Sequence, residues 1–241
     1  MLHAMAFPIR SEASAGDADV AAVAALIADR ARSAMLDALM DGRSSAAGEL
    51  ARRAGVAPST ASGHLARLLA GGLVLCEIDG RERRYRLASA AVAAALEALS
   101  RLAPPAEVRS LRSADRAAAI RTARTCYDHL AGRLGVGLTE ALVERKALVS
   151  RDASYELTAA GERTLARPGV DVARARAQRR SFARACVDWS ERRPHLAGAL
   201  GAGLAEALLQ RGWVRRRPSD RGLLVTAKGA DGLRRFGVEL D

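Results

Sequence analysis

Fourteen residues of this chain occur twice. Residues 129–142 read HLAGRLGVGLTEAL and residues 195–208 read HLAGALGAGLAEAL, identical at eleven positions with a constant offset of 66. Chance does not give that match even in an alanine-rich chain, so the second half is a tandem duplication and must fold as two similar units. The likeness runs forward: YELTAAGERTL (155–165) parallels LLVTAKGADGL (223–233), with two extra residues in the second copy. It also runs backward. Cys126-x-Asp128 precedes the first copy, and Cys186-x-Asp188 precedes the second with six extra residues between. The units are therefore 114–172 and 173–241. Each reads as helix, helix, short hairpin, helix. The hairpins are ALVSRD (147–152) and GWVRRRP (212–218) with their returning strands. Thr158 and Thr226 cap the helices that follow, and Gly161 and Gly229 allow close packing. The pattern describes two winged-helix-like units without a clear recognition helix.

The core has to be built from small aliphatic side chains. Of 241 residues 49% are hydrophobic but only 3% aromatic, a balance that favours helices. No apolar run reaches the roughly 18–20 residues that span a bilayer. The opening MLHAMAFPIRSEASAGDADV lacks the pattern of a secretory leader, and residues 1–17 read as a flexible tail. Three cysteines, Cys76, Cys126 and Cys186, are too few and too scattered for a disulfide framework. The expected setting is the reducing cytoplasm. Net charge is +11, which points to a polyanionic partner. Only Lys146 and Lys228 are lysines, so part of that charge reflects an arginine-rich coding bias. Residues 1–103 carry 12 basic and 11 acidic side chains, so a nucleic-acid role for the first half must rest on motif and not on bulk charge.

Such a motif is present. Two apolar helices are predicted over 18–28 and 31–42, the second with Met35, Leu36, Leu39 and Met40 on one face. The segment SSAAGELARRAGVAPSTASGHLARLLAGGL (44–73) then gives a short helix, a turn at Gly55-Val56, and a second helix opened by Pro58. Leu50, Val56, Leu65, Leu68 and Leu69 face inward. Ser59, Thr60, Ser62, His64 and Arg67 form the opposite, polar face, sized for a major groove. LVLCEID (73–79) and RRYRLA (83–88) flank a tight turn signalled by Asp79-Gly80, a hairpin carrying Arg81, Arg83 and Arg84. The apolar helix SAAVAAALEALSRL (89–102) closes the domain 18–102. Pro104 and Pro105 mark a linker, 103–113. The fold class expected is mainly α with small β-hairpins: an N-terminal winged helix–turn–helix followed by the two repeated units.

The run ELARRAGVAPSTASGHLARLLAGGLV followed by DGRERRYRL, between apolar helices, resembles the ArsR/SmtB family of bacterial repressors over residues 18–102. The resemblance implies a homodimer pairing through its first and last helices and bound to a double-stranded DNA operator. Ser59, Thr60, Ser62, His64 and Arg67 would meet bases and phosphates, and Arg81, Arg83 and Arg84 the backbone. Two familiar sensor sites of that family are missing. SSAAGELARRAG holds no Cys-x-Cys, and SAAVAAALEALSRL holds no histidine.

Any sensing therefore falls to the repeats. Their shared polar set is Cys126, Asp128 and His129 in one copy, and Cys186, Asp188 and His195 in the other. Cys126 and His129 are three apart on a predicted helix and so share a face. Thiolate with imidazole suits Zn(II), Cd(II) or another thiophilic metal or metalloid. The aspartates read as ligands or as acceptors that orient the histidines. The same cysteines also read as buried core thiols or as oxidant sensors flanked by Arg124 and Arg184. Cys76 reads as core, and Trp189 and Trp213 as packing anchors. Arginines in 173–184 read as a solvated face and Arg215–Arg217 as a DNA-facing wing tip. No phosphate loop, nucleophile elbow or HExxH helix is present, so the chain does not read as an enzyme. The function expected is a ligand-released DNA-binding repressor, with a thiol redox repressor or an architectural DNA-binding protein as alternatives.

Overall fold

A computed structural model describes residues 17–104, 107–108 and 110–240. The predicted tail and part of the Pro104–Pro105 linker lie outside the described residues. Helices dominate, joined by small antiparallel hairpins. The chain divides into a unit ending at Ala93 and a unit running from Ala94 to Asp241.

In the first unit, α1 (Val20–Ile27) buries none of its side chains, and Val20 and Val23 are exposed. Helix α2 (Arg30–Leu39) buries Met35, Leu36 and Leu39, as the spacing predicts. Strand β1 (Ser45–Ala46) leads into α3 (Ala47–Ala54). Gly55 ends α3 with φ +68°, and the Gly55 and Val56 N–H groups both donate to the Ala51 carbonyl. That left-handed cap turns the chain sharply and is cheap only for glycine. Pro58 then starts α4 (Pro58–Ala70), where a missing N–H costs nothing. Ala61, Leu65 and Leu68 of α4 are fully buried, whereas Leu69, expected inside, lies on the surface. Strands β2 (Val74–Asp79) and β3 (Glu82–Leu87) form the predicted hairpin around Gly80-Arg81, and β1 pairs with β3 to give a sheet of order β1-β3-β2.

Helix α5 (Ala90–Leu102) starts three residues after β3 and runs from the first unit into the second. The linker is therefore shorter than 103–113: α6 (Leu111–Thr122) begins early, capped by reciprocal Ser110–Ser113 hydrogen bonds.

The repeats then follow one element order. The first is β4 (Arg124–Cys126), β5 (His129–Ala131), α7 (Gly132–Glu144), β6 (Leu148–Arg151), β7 (Ser154–Leu157) and α8 (Ala159–Ala166). A short α9 (Val172–Arg176) separates it from β8 (Arg184–Val187), β9 (Pro194–Ala197), α10 (Gly198–Gln210), β10 (Val214–Arg216), β11 (Leu223–Val225) and α11 (Ala227–Arg235). The hairpins β4–β5 and β8–β9 correct the sequence reading, which has helix there. The winged hairpins are where the sequence puts them. Thr158 and Thr226 cap α8 and α11. A Cβ at Gly161 would overlap the Ala147 carbonyl and one at Gly229 the Trp213 carbonyl, so helix and hairpin touch backbone to backbone.

The copies exchange edges. Hairpin β6–β7 of the first pairs with β8–β9 of the second in a four-stranded sheet. Hairpin β10–β11 reaches β4 through an Arg124–Gly222 bridge and the Leu223 N–H to Ala123 carbonyl bond. The shared core lies between α7 and α10, built from Leu134, Leu138, Leu142, Leu200, Leu204 and Leu208. No helix among the described residues is long and apolar enough to cross a membrane.

Candidate metal centre and nucleic-acid interface

The outer face of α4 carries Ser59, Thr60, Ser62 and Arg67, all exposed. Ser62 Oγ donates to the Pro58 carbonyl at 3.1 Å, which leaves its oxygen outward as an acceptor. Arg81 at the hairpin turn and Arg83 on β3 are also exposed. Two expected members of this surface face elsewhere. The His64 side chain is 15% exposed, and its Nδ1 lies 3.7 Å from Asp29, the residue that caps α2. Arg84 folds back on the base of the sheet, donating to Ser44 Oγ at 3.2 Å and to the Ser44 carbonyl at 2.9 Å. A long polar side chain next to a loop with unpaired acceptors serves that loop first.

In the second unit, both new hairpins carry the duplicated polar residues. Cys126 pairs with His129 across β4–β5, and Cys186 pairs with His195 across β8–β9. Directly opposed residues lie on the same side of a hairpin. The edge exchange then turns the two pairs toward each other. One ligand-type atom from each of Cys126, His129, Cys186 and His195 lies within 4.8 Å of the others, and all four residues are buried. The imidazole centroids are 5.1 Å apart. The duplicated glycines make this approach possible. A Cβ at Gly135 would overlap the Leu130 carbonyl and lie 3.6 Å from the His195 Cβ. At Gly201 it would overlap the Leu196 carbonyl and lie 3.3 Å from the His129 Cβ. Gly201→Ala is expected to push β9 and His129 off α10 and to destabilise the unit by about 1–3 kcal/mol. Urea unfolding measures this, and an unchanged midpoint would deny the close approach.

The aspartates take different places. Asp128 is partly exposed, 3.2 Å from His129 Nδ1 and ion-paired with Arg180. Asp188 is fully buried, and its Oδ2 lies 3.5 Å from His195 Nδ1. Each carboxylate thus faces Nδ1 of one histidine, which leaves Nε2 for the cluster. Both Nε2 atoms are buried without a hydrogen-bond partner of ordinary geometry. Such orphaned nitrogens call for a ligand. Four tetrahedral ligands around a zinc-sized ion lie roughly 3.3–3.8 Å apart, within a small contraction of this arrangement. The residues fit a Cys2His2 site.

The thiols are already polarised. A hydrogen bond from Cys126 holds the Cys186 sulfur well below the ordinary thiol range, with both imidazoles assisting against burial. The same bond, with burial, pushes Cys126 well up. Cys126 is thus the donor of the pair and Cys186 the acceptor. Burial works against ionised Asp188, but Arg124, Ser190 and the Gly132 N–H overcome it and hold the carboxyl far below its usual range.

Sequence reasoning missed the partners of this cluster. Arg124, read as a thiol activator, is fully buried and binds Asp188 at 3.0 Å and Glu97 of α5 at 3.1 Å, with Trp189 stacked on its guanidinium. Glu97 is the lone acidic residue of an apolar helix, and that isolation was the available signal. Cys76 is half-buried on β2. Several arginines of 173–184 pair with Glu206, Glu162 and Asp128. At the supposed wing tip, Arg217 is paired with Asp115 and Asp220.

A helix–turn–helix domain model matches residues 27–77. An uncharacterized HTH-type transcriptional regulator of Bacillus subtilis (strain 168), YdfF, is 43% identical over 211 residues, 88% of this chain and 93% of its own. Among solved structures, NolR from Sinorhizobium fredii is 32% identical, covering 36% of this chain and 85% of its own, with a TM-score of 0.33. The homodimeric winged helix-turn-helix DNA-binding domain of Mb0332 from Mycobacterium bovis is 32% identical, covering 37% and 88%, with a TM-score of 0.31.

Proposed function

Because the chain belongs to the HTH-type transcriptional regulators, we propose that it is a homodimeric repressor of the ArsR/SmtB type whose operator complex is released when Cys126, His129, Cys186 and His195 take up a divalent thiophilic cation, Zn(II) or Cd(II). The observation that carries this is the convergence of four buried ligand-type residues from two duplicated hairpins, with neither histidine Nε2 in a hydrogen bond of ordinary geometry. Charge selects the ion class. Two thiolates and two neutral imidazoles balance a divalent cation, whereas a trivalent metalloid would leave a buried positive charge. Asp128 and Asp188 orient the histidines and are not ligands. On the DNA side, Ser59, Thr60, Ser62 and Arg67 enter the major groove, and Arg81 and Arg83 meet phosphates. His64 and Arg84 support that surface from behind. The exposed apolar face of α1 supports pairing of two copies, which would set two α4 helices on successive major grooves.

A second reading has its own observation. The Cys126 and Cys186 sulfurs stand within 4.8 Å of each other, so a small shift would let an oxidant such as peroxide join them in a disulfide. Release by peroxide, in protein free of metal, would identify it.

The test is anisotropy on a duplex recovered by selection from a random library. Zn(II) is expected to weaken the wild-type complex at least about tenfold and to leave the Cys126→Ser/Cys186→Ser protein unaffected. Equal response of the two would end the metal reading. Arg67→Ala and Arg81→Ala are each expected to lower the slope of log affinity against log salt by about 1. Unchanged slopes would remove those residues from the interface.

A further inference from the structure

We propose that Arg124 and Glu97 are positioning residues that transmit metal occupancy of the four-residue cluster to α5, an inference that rests on the metal reading above. The two copies are not equivalent around the cluster. The carboxylate behind His129, Asp128, sits near the surface with Arg180. The carboxylate behind His195, Asp188, is wholly inside the second unit. The six residues added between Cys186 and His195 make that difference. They form a loop in which Ser190 Oγ, Ser190 N–H and Glu191 N–H all donate to Asp188 Oδ1.

Asp188 Oδ2 is then shared three ways. Arg124 Nη2 donates to it at 3.0 Å and the Gly132 N–H, at the start of α7, at 2.7 Å, while His195 Nδ1 stands at 3.5 Å. Oδ2 already holds two short donors, and at 3.5 Å the imidazole stands beyond hydrogen-bond length. The histidine is the donor left out. An imidazole committed through Nε2 must carry its proton on Nδ1, so Nδ1–H then competes for Oδ2. Tightening that contact loosens Arg124. Arg124 also holds Glu97 Oε1 through the same Nη2, at 3.1 Å, and the Ile120 carbonyl at 3.3 Å through Nη1. Glu97 lies two turns into α5, the helix that leaves the wing strand β3 after three residues. The route therefore runs His195, Asp188, Arg124, Glu97, entirely through buried groups. Among the described residues, Asp128 meets His129 and Arg180 and no such buried route leads from it.

The test uses the full chain with zinc chloride as the only added ligand. Zinc affinity is read by competition with a chromophoric chelator, α5 by hydrogen–deuterium exchange, and DNA binding with the selected duplex. In the wild type, zinc is expected to change exchange in α5 and to weaken the duplex complex about tenfold or more. Glu97→Gln is expected to bind zinc within about threefold of wild type, since it supplies no ligand atom, while zinc no longer alters exchange or duplex affinity. Asp128→Asn is expected to lose about 10–100-fold in zinc affinity and keep the full response once saturated. A Glu97→Gln protein that responds like the wild type overturns the proposal. So does a wild type that binds zinc with no change in α5, a result that needs no variant to fold. A wild type that binds no zinc overturns the metal reading instead, and this inference with it.

Discussion

Replacing Cys186 with serine is expected to abolish stoichiometric metal uptake. The wild type should hold about one Zn(II) per chain after dialysis. Cys186→Ser should hold none, because a hydroxyl does not ionise near neutrality and the set loses the sulfur whose ionisation its neighbours favour. The stability consequence follows by mass action. A ligand a thousandfold above its dissociation constant adds about 4 kcal/mol to the state that binds it. In a unit of this size that corresponds to roughly 8–16 °C in melting temperature. The wild type should show that gap between zinc and chelator, and Cys186→Ser should melt at one temperature in both. Cys126→Ser should behave alike. A variant that keeps its metal, or a wild type that melts identically with and without zinc, would count against the site.

Arg124→Met is expected to be the most destabilising single change outside the apolar core, at about 3–5 kcal/mol. Arg124 is fully buried with Asp188 and Glu97 as its partners. Methionine fills much of the volume but leaves Asp188 without its cation. The exposed pair Arg151–Glu156 is the control, where Arg151→Met should cost about 1 kcal/mol or less. The pH dependence has a definite sign. The Asp188 carboxyl is depressed below its ordinary 3.8, so its contribution is complete above that value and decays as pH falls through the lower folded value. Removing Arg124 narrows the gap between the two values, leaving Ser190 and the Gly132 N–H, so acid unfolding should begin at higher pH. Equal urea midpoints for Arg124→Met and Arg151→Met would refute this account.

The helix–turn–helix was legible because each of its steps has a local cause. Gly55 makes the turn, Pro58 starts the second helix, and Leu50, Leu65 and Leu68 are buried where their spacing requires. The duplication was legible as identity. The hairpins that carry the cluster were not. Strands β4 and β5 are three residues long, and their turn, Tyr127-Asp128, contains no glycine although Tyr127 has φ +61°. Cys126 and His129 are three apart, a spacing that fits both a helix face and a two-residue hairpin. The second copy held the answer. Cys186 and His195 are nine apart, which on a helix puts them on opposite faces, so only a hairpin with a longer loop suits both copies. His64 and Arg84 were misplaced for a different reason. Sequence shows which residues are polar, but not that Asp29 and Ser44 stand close enough to claim them.

On the proposed function, two duplicated hairpins assemble one metal site. X-ray absorption at the zinc edge on the reconstituted protein tests it most directly. A single four-coordinate environment is expected, with two sulfur and two imidazole nitrogen neighbours, collapsing to one sulfur in either single cysteine variant that still holds residual metal. A spectrum with only oxygen and nitrogen neighbours, or unchanged sulfur in both variants, would contradict it.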